Sequence, residues 1–117
     1  MKGGTAVADI YDLIDRVKLR LGISSGDRSD DDLIEELLNS AESAILARRF
    51  PFGYDETTVL PSAYDDLKIR IAMDLFNKIG AEGQLSHSEN GVQRTYESSW
   101  ISESLLQEVT PRVGVSG

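Results

Sequence analysis

Cysteine is absent from this chain of 117 residues, and histidine occurs only once, at His87. Without thiols the chain cannot form a disulfide framework, a zinc–thiolate site or a cysteine nucleophile. A single histidine likewise excludes a metal site built on a cluster of histidines. The lack of cysteine also fits a reducing compartment.

Long apolar runs are missing as well, since Asp9, Asp12 and Asp15 interrupt the N-terminal stretch that follows Lys2. Secretory signal peptides and membrane-spanning helices both require such runs. We therefore expect a soluble intracellular protein that has no membrane partner.

Basic residues are few, because 12 Lys and Arg stand against 20 Asp and Glu, for a net charge of −8. Residues 27–42 hold seven of the acids against Arg28 alone. Binding of nucleic acid through phosphate neutralisation needs clustered Lys and Arg. An isolated copy of this chain is therefore not expected to bind DNA strongly.

The sequence predicts neither a catalytic centre nor a metal site. An EF-hand loop aligned on Asp27 places Asp32 where glycine is needed and Leu38 where the bidentate glutamate belongs. His87 stands between two serines without an orienting acid, which makes a serine hydrolase a remote alternative. The sequence also has no phosphate-binding glycine loop. We expect a protein that is not an enzyme and has no cofactor, catalytic residue or metal ligand.

Apolar residues recur three and four positions apart in several stretches, which is the spacing of one face of an α-helix. The predicted helices cover residues 6–21, 30–49 and 62–79, with a short fourth at 101–109. Gly22 closes the first helix, Ser29 caps the start of the second, and Pro51 ends the second. We expect one all-α domain over residues 1–117, a small antiparallel helical bundle.

The helix predicted at residues 62–79 should lie at the centre of the bundle, because it is apolar on two sides and needs covering on both. One side carries Tyr64, Leu67, Ile71, Leu75 and Ile79, and the other carries Ile69, Met73 and Phe76. Ser62 and Asp65 fit a capping box at its start, and Gly80 fits a left-handed closing residue. In the preceding connection, residues 50–60, we expect a turn packed by its aromatic side chains.

Residues 82–99 depart from the helical pattern and predict a hairpin-like arm. Asn90-Gly91 favours a tight turn. The residues that alternate behind this turn, as in a strand, are Val92, Arg94 and Tyr96. Isolated two-stranded hairpins are marginal in water, so the arm needs a partner. Either its aromatic side chains and the following Trp100 fold back onto the chain's own core, or they pack on a neighbouring subunit.

Several segments together point to a known family. They are Val17-Lys18-Leu19-Arg20-Leu21-Gly22-Ile23, the acid-opened helix at residues 30–46, the helix after Pro61, the arm Ser86-His87-Ser88-Glu89-Asn90-Gly91-Val92-Gln93-Arg94-Thr95-Tyr96-Glu97-Ser98, and the ending Leu105-Leu106 with Pro111-Arg112-Val113. With these segments, which cover nearly the whole chain, the sequence resembles the small head–tail connector (adaptor) proteins of long-tailed bacteriophages and prophages.

The resemblance implies a small α-helical subunit that assembles as a homo-oligomeric, dodecameric ring under the portal protein of a filled head. Such a ring extends the DNA channel, through which DNA passes without sequence-specific binding. It also presents a surface to a stopper or tail-completion protein. A protein of this kind assembles in the cytoplasm of the bacterial host, stays at the head–tail interface of the virion and has no catalytic activity.

Two sets of residues are candidates for this role. At the subunit and portal interfaces we expect residues of the arm and of the tail at 110–117, namely Val92, Arg94, Tyr96, Trp100, Pro111, Arg112 and Val113. Facing the channel we expect Asp30, Asp31 and Glu35, because carboxylates avoid the contacts that would hold DNA. The alternative for these acids is an outward, solvated helix face. The alternative function is a small helical regulatory or protein-binding module.

Overall fold

Helices account for all the regular secondary structure in the part of the chain that the structure, a computed structural model, describes: residues 9–55, 57–81 and 101–111. The helices are α1 (Ile10–Leu21), α2 (Asp31–Arg49), α3 (Asp65–Ala81) and the short α4 (Glu103–Leu106), with a 3-10 turn at Ser62–Tyr64. The predicted all-α class, with three long helices and a short fourth, is confirmed. The predicted arm at residues 82–99 lies outside the described residues.

Helix α3 is a central element, since α1, α2, α4 and the 3-10 turn all contact it; α2 likewise contacts the three other helices. Its residues that are almost fully buried occupy both of the predicted apolar sides, and they are Leu67, Ile69, Ile71, Ala72, Leu75 and Ile79. The opposing core side chains come mainly from α1 (Leu13, Ile14 and Val17) and α2 (Ile34, Leu37, Leu38, Ala41 and Ile45). The two-sided apolar pattern therefore identified the central helix.

Replacing Leu75 by Ala should lower the free energy of unfolding by about 2–5 kcal/mol, because the side chain is fully buried and its loss leaves a cavity in the core. Chemical denaturation followed by circular dichroism measures this. Asn77→Ala is the matched control, since Asn77 is exposed on the same helix and the change should stay within about 0.5 kcal/mol. A loss at Leu75 that equals the loss at Asn77 would contradict its place in the core.

Helix α1 has the expected ending. Gly22 adopts the left-handed conformation, with φ 81°, and its N–H donates to the Leu19 carbonyl at 3.3 Å. At the other end the Asp9 carboxylate accepts from the Tyr11 N–H. Residues 6–8 of the predicted helix lie outside the described part of the chain.

Three predicted helix caps are wrong. The Ser29 hydroxyl donates to Asp27 at 2.6 Å instead of capping α2, because this local turn competes for the side chain. The 3-10 turn that begins at Ser62 displaces the start of α3, so no capping box forms, and Asp65 Oδ1 has no hydrogen-bond partner within the described ranges. Gly80 lies inside α3, whose last residue is Ala81.

The connection between α2 and α3, called here the α2–α3 loop (residues 50–61), is packed by only one of its three aromatic side chains, Phe50, so the prediction is only partly correct. Phe52 is 84% exposed and Tyr54 is 46% exposed. Main-chain and polar contacts hold the loop instead. The Gly53 N–H donates to the Phe50 carbonyl at 2.9 Å, and the Asp55 carboxylate accepts from the N–H and hydroxyl of Thr57 at 2.9 and 2.6 Å. The loop is thus ordered while it presents apolar groups to solvent.

Candidate assembly surfaces

The segment after the predicted arm returns to the bundle and packs on α2 and α3. We call this segment, residues 101–111, the C-terminal strap. Ile101, Leu106 and Val109 are nearly fully buried, so the strap is a part of the hydrophobic core. The apolar spacing in the sequence predicted a helix at 101–109, but only Glu103–Leu106 is α-helical and a turn follows it.

A polar cluster fixes the start of the strap to the second half of α3. The Ser102 N–H and hydroxyl donate to the two carboxylate oxygens of Asp74 at 3.0 and 3.1 Å. The Lys78 ammonium donates to the Ser102 hydroxyl at 3.2 Å and also pairs with Asp74, four residues earlier on the same helix. Since Ala81 ends α3 one turn beyond Lys78, the end of α3 and the start of the strap lie at the same half of this helix.

Two bidentate ion pairs hold the middle of the strap. Arg48 of α2 donates through both terminal nitrogens to Glu103 at 3.1 and 3.2 Å. Arg70 of α3 donates in the same way to Glu108 at 2.7 and 2.8 Å, and its Nε donates to Asp66 at 2.8 Å. Paired contacts of this kind fix orientation as well as position.

The same ion pairs determine how the strap responds to acid. Hydrogen bonds from Arg70 lower the pKa of the Glu108 carboxyl. Hydrogen bonds from Arg20 of α1, at 2.7 Å, and from Arg70 lower the pKa of Asp66. A carboxyl group whose pKa is lower in the folded than in the unfolded state stabilises the fold at any pH above its ordinary pKa. This stabilisation is lost as the pH falls through the lowered pKa of the folded state.

The free energy of unfolding should therefore fall more steeply below about pH 4 for the natural chain than for Glu108→Gln, which has no carboxylate to protonate. Denaturant titrations between about pH 7 and pH 2.5 measure the two slopes. Glu36→Gln serves as the control, because Glu36 is exposed and forms no ion pair with the described residues. Identical slopes for the natural chain and Glu108→Gln would refute the role of the Arg70 pair.

The end of the strap lies beside the start of the α2–α3 loop. The Thr110 N–H donates to the Tyr64 hydroxyl at 3.4 Å, and the Thr110 carbonyl accepts from Arg49 at 3.2 Å. The Arg49 guanidinium also lies over the rings of Phe50 and Tyr64, 5.6 and 5.4 Å from their centroids. Thr110 is therefore anchored, and Pro111, which follows it, is exposed.

Asp31, one of the three candidate channel acids, is engaged within the chain. Its Oδ1 accepts from the Lys18 ammonium at 2.7 Å, and Lys18 also donates to the Ser25 carbonyl at 3.2 Å. The Lys18 side chain is only 2% exposed, and that of Asp31 is 22% exposed. Asp30 and Glu35 are half-buried and form no ion pair within the described ranges.

Sequence reasoning missed this buried ion pair. Lys18 is one of two basic residues in the last turn of α1, where the helix dipole alone favours a cation. A signal was nevertheless present, because Lys18 stands four residues after Ile14 and three before Leu21, on the apolar stripe of the helix. A lysine at such a position needs a partner when it is buried.

The predicted interface residues are largely outside the described part of the chain. Of the seven, only Pro111 is described, and the six that fall elsewhere are Val92, Arg94, Tyr96, Trp100, Arg112 and Val113. His87 falls outside it too. The described residues contain no group of three or more His, Cys, Asp or Glu side chains placed to bind a metal ion. Nor does any helix among them have the length and apolarity to cross a bilayer.

A comparison with known protein families identifies the family to which this chain belongs. A family model described as phage gp6-like head-tail connector protein matches residues 11–109, which include all four helices apart from the first residue of α1. The chain belongs to this family. No curated protein and no solved structure matches it.

The family confirms the resemblance that the sequence predicted and gives the connector its role at the head–tail junction of a bacteriophage. Connectors of this family are structural proteins, which fits the expectation that the chain is not an enzyme. The matched range also spans residues 82–100, where the arm is predicted.

Proposed function

We propose that this connector is the subunit of a homo-oligomeric ring, a dodecamer, which docks under the portal protein and extends the DNA channel. The far side of the ring presents the attachment surface for a stopper or tail-completion protein. In this proposal the ring assembles in the bacterial cytoplasm and remains in the virion at the head–tail interface. The observation that carries the proposal is the family match over residues 11–109.

The arrangement around the predicted arm supports assembly through that arm. The described positions on either side of the predicted arm, Ala81 and Ser102, are both placed at the same half of α3. A segment tied at both ends has less conformational freedom to lose when it binds a partner. In a ring, each arm meets a different surface on the next subunit, and this heterologous contact closes by rotation.

The tail supports a second contact. Thr110 is anchored between Arg49 and Tyr64, so the residues beyond it start from a defined place on the bundle. Pro111, Arg112 and Val113 are our candidates for docking on the portal protein or on an adjacent subunit.

Co-purification with a portal ring tests the proposal directly. The connector, tagged and mixed with portal protein, should be retained by it, and electron microscopy should show twelve connector copies around the portal axis. Light scattering on the connector alone then tells whether rings form without the portal. A chain that stays a monomer or dimer and does not bind the portal protein would instead support the alternative function, a small helical regulatory or protein-binding module.

Part of the acid-rich stretch should face the channel in this ring. DNA has to slide during packaging and ejection, and carboxylates avoid the counterion-releasing contacts that would hold its phosphates. Because Asp31 is paired with Lys18, its charge is largely countered inside the subunit. Asp30 and Glu35 are the better candidates for the channel wall.

Changing Asp30 and Glu35 together to Lys should slow DNA ejection from assembled particles, and the slowing should weaken as salt is raised. The matched control is Asp32→Lys with Glu36→Lys, which makes the same charge change at exposed positions of the same helix. Ejection kinetics on purified particles measure both variants. Unchanged ejection in the Asp30 and Glu35 variant, or these acids on the outer rim of an assembled ring, would refute the proposal.

A further inference from the structure

Helix α1 carries a row of exposed side chains, and the row includes two large apolar ones. Tyr11, Asp15 and Leu19 are four residues apart, a spacing that places them one above the other along one side of the helix. Tyr11 is 67% exposed and Leu19 is 78% exposed. We call these three residues the α1 row. Because the helix fixes their positions relative to one another, the α1 row is a surface of defined shape.

The middle of the α1 row is negatively charged. Asp15 is exposed and forms no ion pair within the described ranges. The neighbouring base on this helix, Arg16, pairs with Asp12 at 3.0 Å. The row therefore presents a carboxylate between two apolar groups. It complements a segment that carries a base between two apolar side chains.

The predicted arm contains a segment of this kind, and no segment that lies wholly outside the described helices repeats it. Val92, Arg94 and Tyr96 alternate along the chain, so an extended backbone places all three side chains on one face. At about 3.3 Å per residue, the first and last of them are about 13 Å apart. The two ends of the α1 row are about 12 Å apart, at about 1.5 Å per residue of helix. The two sets therefore match in both charge and spacing.

We propose that residues 92–96 of one connector dock on the α1 row of a neighbouring copy. Arg94 pairs with Asp15, and the apolar side chains of the arm cover those of the row. Tyrosine and arginine are among the residue types enriched at protein interfaces. This inference rests on the proposed ring and names the surface that receives the arm in it.

The direction of the α1 row favours a neighbouring copy over the same chain. Arg20 of α1 pairs with Asp66 of α3 at 2.7 Å, which marks the side of α1 that contacts α3. Asp15 precedes Arg20 by five residues, so it lies about 140° round the helix from that side. The α1 row thus points away from α3, the helix after which the predicted arm begins. A second copy can approach the row directly.

Charge reversal tests the pair and shows whether it joins two copies. Asp15→Arg alone and Arg94→Asp alone should each lower the yield of heads joined to tails by about tenfold or more, because like charges then meet at every contact. An equal mixture of the two variants should restore joining, since every arm meets a row of opposite charge in a ring of alternating copies. Glu36→Arg is the matched control, because it makes the same charge change at an exposed position of α2 and should leave joining unchanged.

The outcomes of the mixing experiment are distinct. Full joining by either single variant, or a mixture that fails as the single variants do, would overturn the inference. A chain that carries both changes should join as well, and recovery there without recovery in the mixture would place the arm on its own chain. Circular dichroism of each variant shows that its helices form, so a loss of joining is not a loss of fold.

Crosslinking tests the contact without the portal protein and without a complete ring. The natural chain has no cysteine, so Arg16→Cys in one chain and Thr95→Cys in another place single thiols beside the proposed pair and leave the pair intact. A short bismaleimide should link the two chains several-fold more than it links Thr95→Cys with Ala47→Cys, which is exposed on α2. Equal yields by mass spectrometry would refute the contact. Crosslinks from a connector that does not bind the portal protein would support the contact and refute the proposed function.

Discussion

Replacing Asp31 by Asn lowers the free energy of unfolding by about 3 kcal/mol, near the lower end of the range measured when one partner of a buried ion pair is removed. The Lys18 ammonium then loses its counter-charge, and its acceptors among the described residues are the Ser25 carbonyl and the neutral amide oxygen at position 31. Its side chain is almost fully buried, so water cannot replace the lost carboxylate. The partial exposure of Asp31 is the reason to expect the lower end of the range.

A double-mutant cycle separates this effect from ordinary loss of packing. Lys18→Met removes the cation and keeps most of the apolar stem, so Asp31→Asn in that background should cost much less than it does alone. Urea titrations of the four chains give the coupling free energy. If Asp31→Asn costs the same in both backgrounds, then the ion pair is not the source of the stability.

Changing Arg94 and Tyr96 together to Ala should abolish the joining of heads to tails while the subunit keeps its helical circular dichroism. Tyr and Arg are among the residue types that dominate interface energy, at about 2 kcal/mol or more each, or roughly 30-fold in the affinity of every contact. Gln93→Ala with Thr95→Ala is the matched control, because these positions alternate with the first pair along the predicted strand.

The arm variant should be compared with a chain that ends after Thr110. That truncation keeps the anchored part of the strap and removes the candidate docking residues of the tail, so it should also fold and fail to join heads to tails. Particle completion and unfolding are measured separately for each variant. If the arm variant unfolds the isolated subunit, then the arm folds back on the chain's own core, which is the other of the two interpretations that the sequence allows.

The sequence alone determined the features that depend on local periodicity. Helix α3 was predicted as the centre because Leu67, Ile71 and Leu75 repeat at helical spacing and Ile69 adds a second apolar side, and all four are buried. Gly22 was predicted as a left-handed end because glycine has no side chain to oppose a positive φ. The connector family was predicted as well, since its segments are themselves patterns in sequence.

Only the tertiary structure decided which distant groups meet. Arg70 pairs with Glu108, 38 positions away, and Arg49 holds Thr110, 61 positions away, and no periodicity specifies such partners. Local cap preferences were overruled at Ser29 and Ser62, because a capping hydrogen bond contributes only about 1 kcal/mol and a competing turn or chain path outweighs it. Phe52 is exposed for a related reason: the helices fill the core, and the loop that carries it is held by hydrogen bonds and by the packing of Phe50 and Leu60 at its two ends.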